Sequence, residues 1–219
     1  MPRTATDIAN MACDLLDVDP IGNIETSLGI GKVLRRNYQE AVDTVIREFS
    51  WNCATTRAGL DELTAPSWWQ SDATDHQYIY AWPADCLGVI DINGRPIEEI
   101  THAVESLATI DGEGNVTARR NVILCDVPGG IILRYKASID AADMDPHLAK
   151  AVAIELASRC VMKAANSIQK AEALEVMYQR ATRGDGKRTG GHQASSRENN
   201  AKPPRRYPST GEKARAGII

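Results

Sequence analysis

The chain predicts an α+β fold: a helical bundle of about four helices, an inserted antiparallel β domain, and an extended C-terminal tail. Helical periodicity occupies both ends of residues 1–182. Short strand-like runs separated by Asn, Gly and Pro turns occupy the middle. The last stretch carries the opposite charge to everything before it. Residues 1–50 then hold the N-terminal helices and 51–137 the β-rich insertion. Residues 138–182 hold the C-terminal helices and 183–219 a flexible basic tail.

The first helix starts near Thr4 or Thr6, because Thr4 followed three residues later by Asp7 fits a capping box. Ile8, Ala9, Ala12, Leu15 and Leu16 recur at helical spacing, and Asp19-Pro20 is the expected stop. A Gly-containing loop follows. In the second helix Leu34, Tyr38, Ala41, Val42, Val45, Ile46 and Phe49 form one apolar stripe, with charged residues opposite, ending near Ser50-Trp51.

From Trp51 to Tyr135 the pattern shortens. Tyr78–Tyr80 and Leu87–Ile92 read as strands, and Asn93-Gly94 is a two-residue hairpin signal. Asp111–Asn115 and Pro128-Gly129-Gly130 are further turns, the latter flanked by strands at Val122–Leu124 and Ile131–Tyr135. Thr101–Ile110 fits a short helix or a strand equally well. Helix returns at Asp145-Pro146, an N-cap carboxylate followed by a proline that has no N–H to leave unpaired. From Leu148 to Met162 almost every position is apolar. Such a helix is enclosed, either within a bundle or against a neighbouring subunit. The last helix places Ile168, Ala171, Leu174, Tyr178 and Ala181 on one face and ends at Gly184 and Gly186.

The charge split frames the function. Residues 183–219 hold nine Lys/Arg against three acids, a formal +6, whereas the rest of the chain holds 16 basic and 26 acidic residues, a net −10. A basic arm on an acidic body suits a protein partner, with nucleic acid and a merely solvated tail as the rivals. Only one aromatic, Tyr207, is present for bases to stack on, and the body repels a duplex. The terminal Ile218-Ile219 adds an apolar anchor. The candidate contact residues of the arm are Arg183, Lys187, Arg188, Arg205, Arg206, Tyr207, Ile218 and Ile219. Trp68-Trp69, after Pro66, are either a loop interface or local packing.

Catalytic and metal signatures are weak. Gly184–Gly191 lacks the spacing of a phosphate loop and no strand leads into it. Asp140, Asp143, Asp145 and His147 crowd one turn without calcium-loop spacing, and helix capping accounts for Asp145. His76, His102, His147 and His192 lie in separate elements, and there is no Gly-x-Ser-x-Gly elbow. Asn115-Val116-Thr117 is read as a chance sequon. The five cysteines form no Cys-x-x-Cys pair and read as reduced, packed thiols of a protein made in a cytoplasm. No apolar run spans a membrane and no signal peptide opens the chain. No enzyme, cofactor or metal is therefore expected.

Four stretches carry a family resemblance. Ser50-Trp51-Asn52-Cys53-Ala54-Thr55-Thr56-Arg57-Ala58-Gly59-Leu60 follows the long helix, and Tyr78 to Leu87 combines a tyrosine-rich strand with a Pro83-Ala84-Asp85-Cys86 turn. Leu133-Arg134-Tyr135 leads to Asp145-Pro146, and Glu155-Leu156-Ala157 lies in an Ala-rich helix. In this order they resemble the tail tubular protein A family of phage head-to-tail adaptors, from about Ala5 to Ala181. The Glu98–Arg120 segment is longer and richer in Gly than expected for that family, and the tail is long and basic.

The resemblance implies a structural virion protein located in the neck and tail, assembled in the host cytoplasm. It implies a homo-oligomer, a dodecameric ring, between the portal protein and tail nozzle or tail fibre proteins. The C-terminal segment would dock on the portal, and DNA would pass through without specific binding. The alternatives are a phage cell-wall hydrolase using a carboxylate pair and a nucleic-acid-binding regulator using the tail.

Overall fold

The computed structural model describes residues 2–64, 76–110 and 116–183. Its elements are α1 (Ala5–Leu16), α2 (Ile30–Glu48), β1 (Thr55–Leu60), β2 (Tyr78–Ala81), β3 (Cys86–Ile92), β4 (Arg95–Pro96), β5 (His102–Ile110), β6 (Val116–Cys125), β7 (Ile131–Ala137), α3 (Pro146–Ala164) and α4 (Ile168–Thr182). Short 3-10 turns occupy Ile97–Glu99 and Ala141–Asp143. The fold is α+β: the four helices bundle together and the seven strands form two antiparallel sheets.

The helices begin where the capping chemistry requires. The Thr4 side chain accepts from the Asp7 amide, and the Asp7 carboxylate accepts from the Thr4 amide, which completes the capping box. Helix α1 stops at Leu16 rather than running on to Asp19-Pro20. Asp17 takes a left-handed conformation (φ 55°), and its amide bonds back to the last turn. Asp145 caps α3 through the Leu148 amide at 2.8 Å, with Pro146 in the first turn. Helix α2 ends at Glu48, short of Ser50-Trp51, because Phe49 turns extended. Helix α4 ends at Thr182, and Gly184 and Gly186 lie outside the described residues.

Helix α3 is the axis of the bundle. Leu148, Ala149, Val152, Ile154, Leu156, Ala157, Cys160 and Val161 are all buried, and α1, α2 and α4 each pack against it. Its all-round apolarity is thus satisfied within one subunit. Of the α4 face expected to pack, Leu174 and Tyr178 are buried, whereas Ile168 is 68% exposed at the helix start. Arg159 ties α3 to α2 on the outside. It meets Glu155 and Glu40 at 2.7 and 2.8 Å and donates to the Thr44 hydroxyl.

The loop before α2 comes close to the helix at Gly31. A Cβ at Gly31 would sit 2.3 Å from the Ser27 Cβ, a distance no side chain tolerates. The Ser27 amide and hydroxyl both donate to the Asn23 carbonyl, so that turn cannot yield easily. Gly31→Ala is expected to cost about 1–3 kcal/mol by overpacking. Urea denaturation checks it: a variant as stable as the parent would show that the turn is free to move.

The strands form one four-stranded sheet, β1-β7-β3-β4, and one three-stranded sheet, β2-β6-β5. Asn93 and Gly94 both have positive φ, as a primed hairpin turn between β3 and β4 requires. The ambiguous 101–110 stretch is a strand, because β5 pairs with β6 along its length. The strands flanking Pro128-Gly129-Gly130 do not pair with each other: β6 lies in the second sheet and β7 in the first. Between the sheets lie Tyr80, Ile123 and Cys125 from one side and Ile92, Ile131, Leu133, Tyr135 and Ala137 from the other. The last four residues of β6, Val122–Cys125, are buried on both faces, since Val122 and Leu124 pack with Ile79 and Leu107 beyond the sandwich.

The two halves of the molecule are joined at Trp51. Its side chain is fully buried in the helical core, and its indole N–H donates to the Val45 carbonyl at 3.1 Å. On the return crossing the Ala137 amide donates to the Ala54 carbonyl, and Lys136 Nζ donates to the Arg47 carbonyl at the end of α2.

Candidate interaction surfaces

Arg183 is the only expected tail-contact residue within the described part of the chain. It caps α4, and its guanidinium lies 3.3 Å from Glu48 Oε1 and 5.8 Å from the centroid of the Phe49 ring. The other oxygen of Glu48 accepts the Tyr178 hydroxyl at 2.7 Å. Burial first, and the Glu48 carboxylate second, hold the Tyr178 phenol protonated far above its ordinary range. Glu48 thus clamps the end of α4 to the end of α2. The root of the basic segment is placed where the bundle hands over to the sheets. Lys187, Arg188, Arg205, Arg206, Tyr207, Ile218 and Ile219 lie outside the described residues, as do Trp68 and Trp69.

The cysteines are spread through the packed interior. Cys13, Cys86, Cys125 and Cys160 are buried and unbridged. Desolvation pushes the Cys86 and Cys160 thiols up to about 11, so they are neutral at physiological pH. Cys53 Sγ lies 3.4 Å from the Asp145 carboxylate, and burial above all lifts its pKa to about 11 as well. A neutral buried thiol is a packing group rather than a nucleophile.

Several carboxylates of the β region have structural work. Asp85 accepts the Tyr135 hydroxyl at 3.1 Å, Asp91 pairs with Arg134 at 3.3 Å, and Glu62 accepts the Gly129 amide. Among the described residues no three His, Cys, Asp or Glu side chains gather into a group able to hold a metal, Asp140, Asp143, Asp145 and His147 included. His102 Nδ1 is engaged with the Ile100 carbonyl at 2.9 Å. Among the described residues no helix is long and apolar enough to cross a membrane.

Three of the surface clefts among the described residues bear on binding. One, of about 280 Å³, lies between α1 and α3 and is lined by Met11, Leu15, Ala153 and Ile154, with Asp14 and Lys150 at its edge. A second, of about 260 Å³, is lined by Val18, Gly29, Ile30 and Val33 beside the end of α3. The third is polar and smaller, about 110 Å³, and is lined by Asn52, Thr55, Arg57 and Arg134 on the bundle-proximal half of the β1–β7 pair. Sequence reasoning passed over Arg57 and Arg134 as site residues, because only strand register brings them together.

No family model matches the chain, and no curated protein matches it.

Proposed function

We propose that this chain is a structural subunit of a head-to-tail adaptor ring in a phage particle. The body forms the ring, the basic C-terminal segment docks on the portal protein, and the genome passes through the centre. The observation that carries this reading is the position of Arg183. The basic segment leaves the body at the clamped junction of α2 and α4, beside the passage into the sheets. An arm rooted where two helix ends are tied together passes load to the bundle rather than to one helix alone.

Other features support the same reading. Some of the residues that carry the family resemblance sit at joints of the fold. Trp51 links the bundle to β1. The Pro83–Cys86 turn carries the chain from one sheet to the other, closed by the Cys86 amide on the Pro83 carbonyl at 3.0 Å. Asp145-Pro146 starts the axial helix. A body of net −10 does not hold a passing duplex, which suits a conduit. In a ring each arm is one of many, so modest affinity per arm is multiplied.

The test is to delete residues 184–219 and compare the shortened chain with the full one. The thermal midpoint of the body is expected to stay within about 2 °C, because a surface extension contributes little to folding. Co-sedimentation with the portal is expected to be lost. Retained attachment by the shortened chain would sink the tail assignment. A full chain that stays monomeric both alone and with portal would sink the ring.

A further inference from the structure

Arg57 and Arg134 are register partners across β1 and β7. Residues directly opposite on adjacent strands share one face, with their side chains side by side, and two like charges so placed repel. Among the described residues one carboxylate offsets them. Asp91, the partner of Arg134 on the far side in β3, meets its Nη1 at 3.3 Å. Among the described residues the Arg57 side chain has no ion pair and no hydrogen bond. The pair therefore carries one unbalanced guanidinium on an exposed edge strand.

The lining of the cleft fits an anion. Asn52 and Thr55 close the end nearest the bundle. The Thr55 hydroxyl already donates to the Trp51 carbonyl at 2.7 Å, so the guanidiniums are left as the charged donors of the cleft. Farther along the same face Lys136 reaches the Arg47 carbonyl, which leaves the face basic on a body of net −10. A volume of about 110 Å³ admits one small oxyanion group, and a planar guanidinium fork matches a carboxylate with two parallel hydrogen bonds.

We propose that the Arg57–Arg134 cleft is an oxyanion site that takes one carboxylate from a neighbouring copy of this chain. This rests on the ring reading. In a cyclic assembly each subunit turns one face to the next subunit's different face. A body with 26 acids supplies carboxylates on whatever surface meets the cleft. A polyphosphate backbone is the poorer occupant, because the net charge of the body opposes its approach. The cleft sets the register between subunits, and Arg57 is the residue that completes the ion pair.

The experiment compares the full-length chain with its Arg57→Gln variant by sedimentation, alone and with portal. Arg57 is exposed, so the variant is expected to fold with an unchanged circular dichroism spectrum. The concentration for half-assembly is expected to rise roughly tenfold or more in the variant. Added inorganic phosphate, at constant ionic strength against chloride, is expected to disperse the parent assembly by competing for the cleft and to leave the variant unaffected. Assembly of Arg57→Gln at the parent concentration would overturn the site. Should the parent fail to assemble at all, the ring reading falls, and the site is judged separately. Phosphate and acetate titrations that raise the thermal midpoint of the parent more than that of Arg57→Gln would support an oxyanion site. Equal responses would overturn it.

Discussion

Trp51→Ala is expected to lower the unfolding free energy by about 3–5 kcal/mol, the usual range for deleting an enclosed aromatic side chain. Trp51 is fully buried although it lies outside every helix and strand. It packs edge-on to Phe49, with ring centroids 6.5 Å apart and planes at 84°. Its indole N–H reinforces the Val45 carbonyl, which also receives the Phe49 amide at 3.4 Å where α2 ends. The loss therefore combines a cavity with a weakened helix terminus. With a total stability of about 5–15 kcal/mol for an ordinary domain, a fifth or more of it disappears. Urea unfolding followed by far-ultraviolet circular dichroism reads the change. Trp51→Phe separates the two contributions: it keeps most of the ring and forfeits the N–H, so its loss is expected to fall well below that of alanine. A loss under about 1 kcal/mol for Trp51→Ala would mean that the joint between bundle and sheets is not packed as described.

The local signals of the sequence lead directly to the observed elements where the physics is local. The capping box at Thr4 and Asp7, the Asp145-Pro146 start, the apolar stripe of α2 and the Asn93-Gly94 turn each depend on residues within a few positions of one another. The observed elements follow them. Tyr38 shows the limit of the stripe, since its hydroxyl is buried with no hydrogen-bond partner among the described residues, and desolvation, with Asp140 nearby, raises its pKa to about 12. The misplaced end of α1 has a similar lesson. Asp17 adopts a left-handed turn that glycine usually supplies, so the expected stop at Asp19-Pro20 came too late.

Long-range pairing was not legible. Pro128-Gly129-Gly130 announces a reversal of direction, but turn chemistry does not say which strands pair after it. Strand β3 hides its register for another reason. Irregularities after Cys86 and after Val89 make Cys86, Val89 and Ile92 face the sandwich core at a spacing of three rather than two. Leu87, which simple alternation would set on the opposite face, packs against the helical core. The Arg57–Arg134 cleft belongs to the same class of facts. Two arginines far apart in sequence become neighbours only when β1 is laid on β7 in one particular register. The basic segment was conspicuous in composition, whereas the clamp that roots it needed the structure. Nothing in the sequence pairs Glu48 at the end of one helix with Tyr178 and Arg183 at the end of another.

Tyr80→Ala is expected to cost the sandwich on the order of 3–5 kcal/mol, and Tyr80→Phe about 1–3 kcal/mol of it. Tyr80 is wholly buried between the sheets, and its hydroxyl lies 2.6 Å from both the Val127 and the Gly129 carbonyls. Those carbonyls belong to the connection that carries the chain from β6 in one sheet to β7 in the other. Phenylalanine keeps the ring and leaves both acceptors without that donor in a dry place, so its cost is one of desolvation rather than volume. The effect has a pH signature. Burial, with minor help from neighbouring acidic groups, raises the phenol from 10.0 to about 12. A raised pKa means that the folded state holds the proton more tightly than the unfolded chain. The hydroxyl's contribution is therefore complete below pH 10 and is lost as pH climbs towards 12. Tyr38 and Tyr135 are raised to about 12 as well and share this alkaline slope, so Tyr80→Phe should reduce it without abolishing it. Unfolding free energies measured across pH 8 to 12 give the comparison. A variant with the parent's alkaline slope would show that the Tyr80 hydroxyl titrates alike in both states, and that the connection is held by something other than its proton.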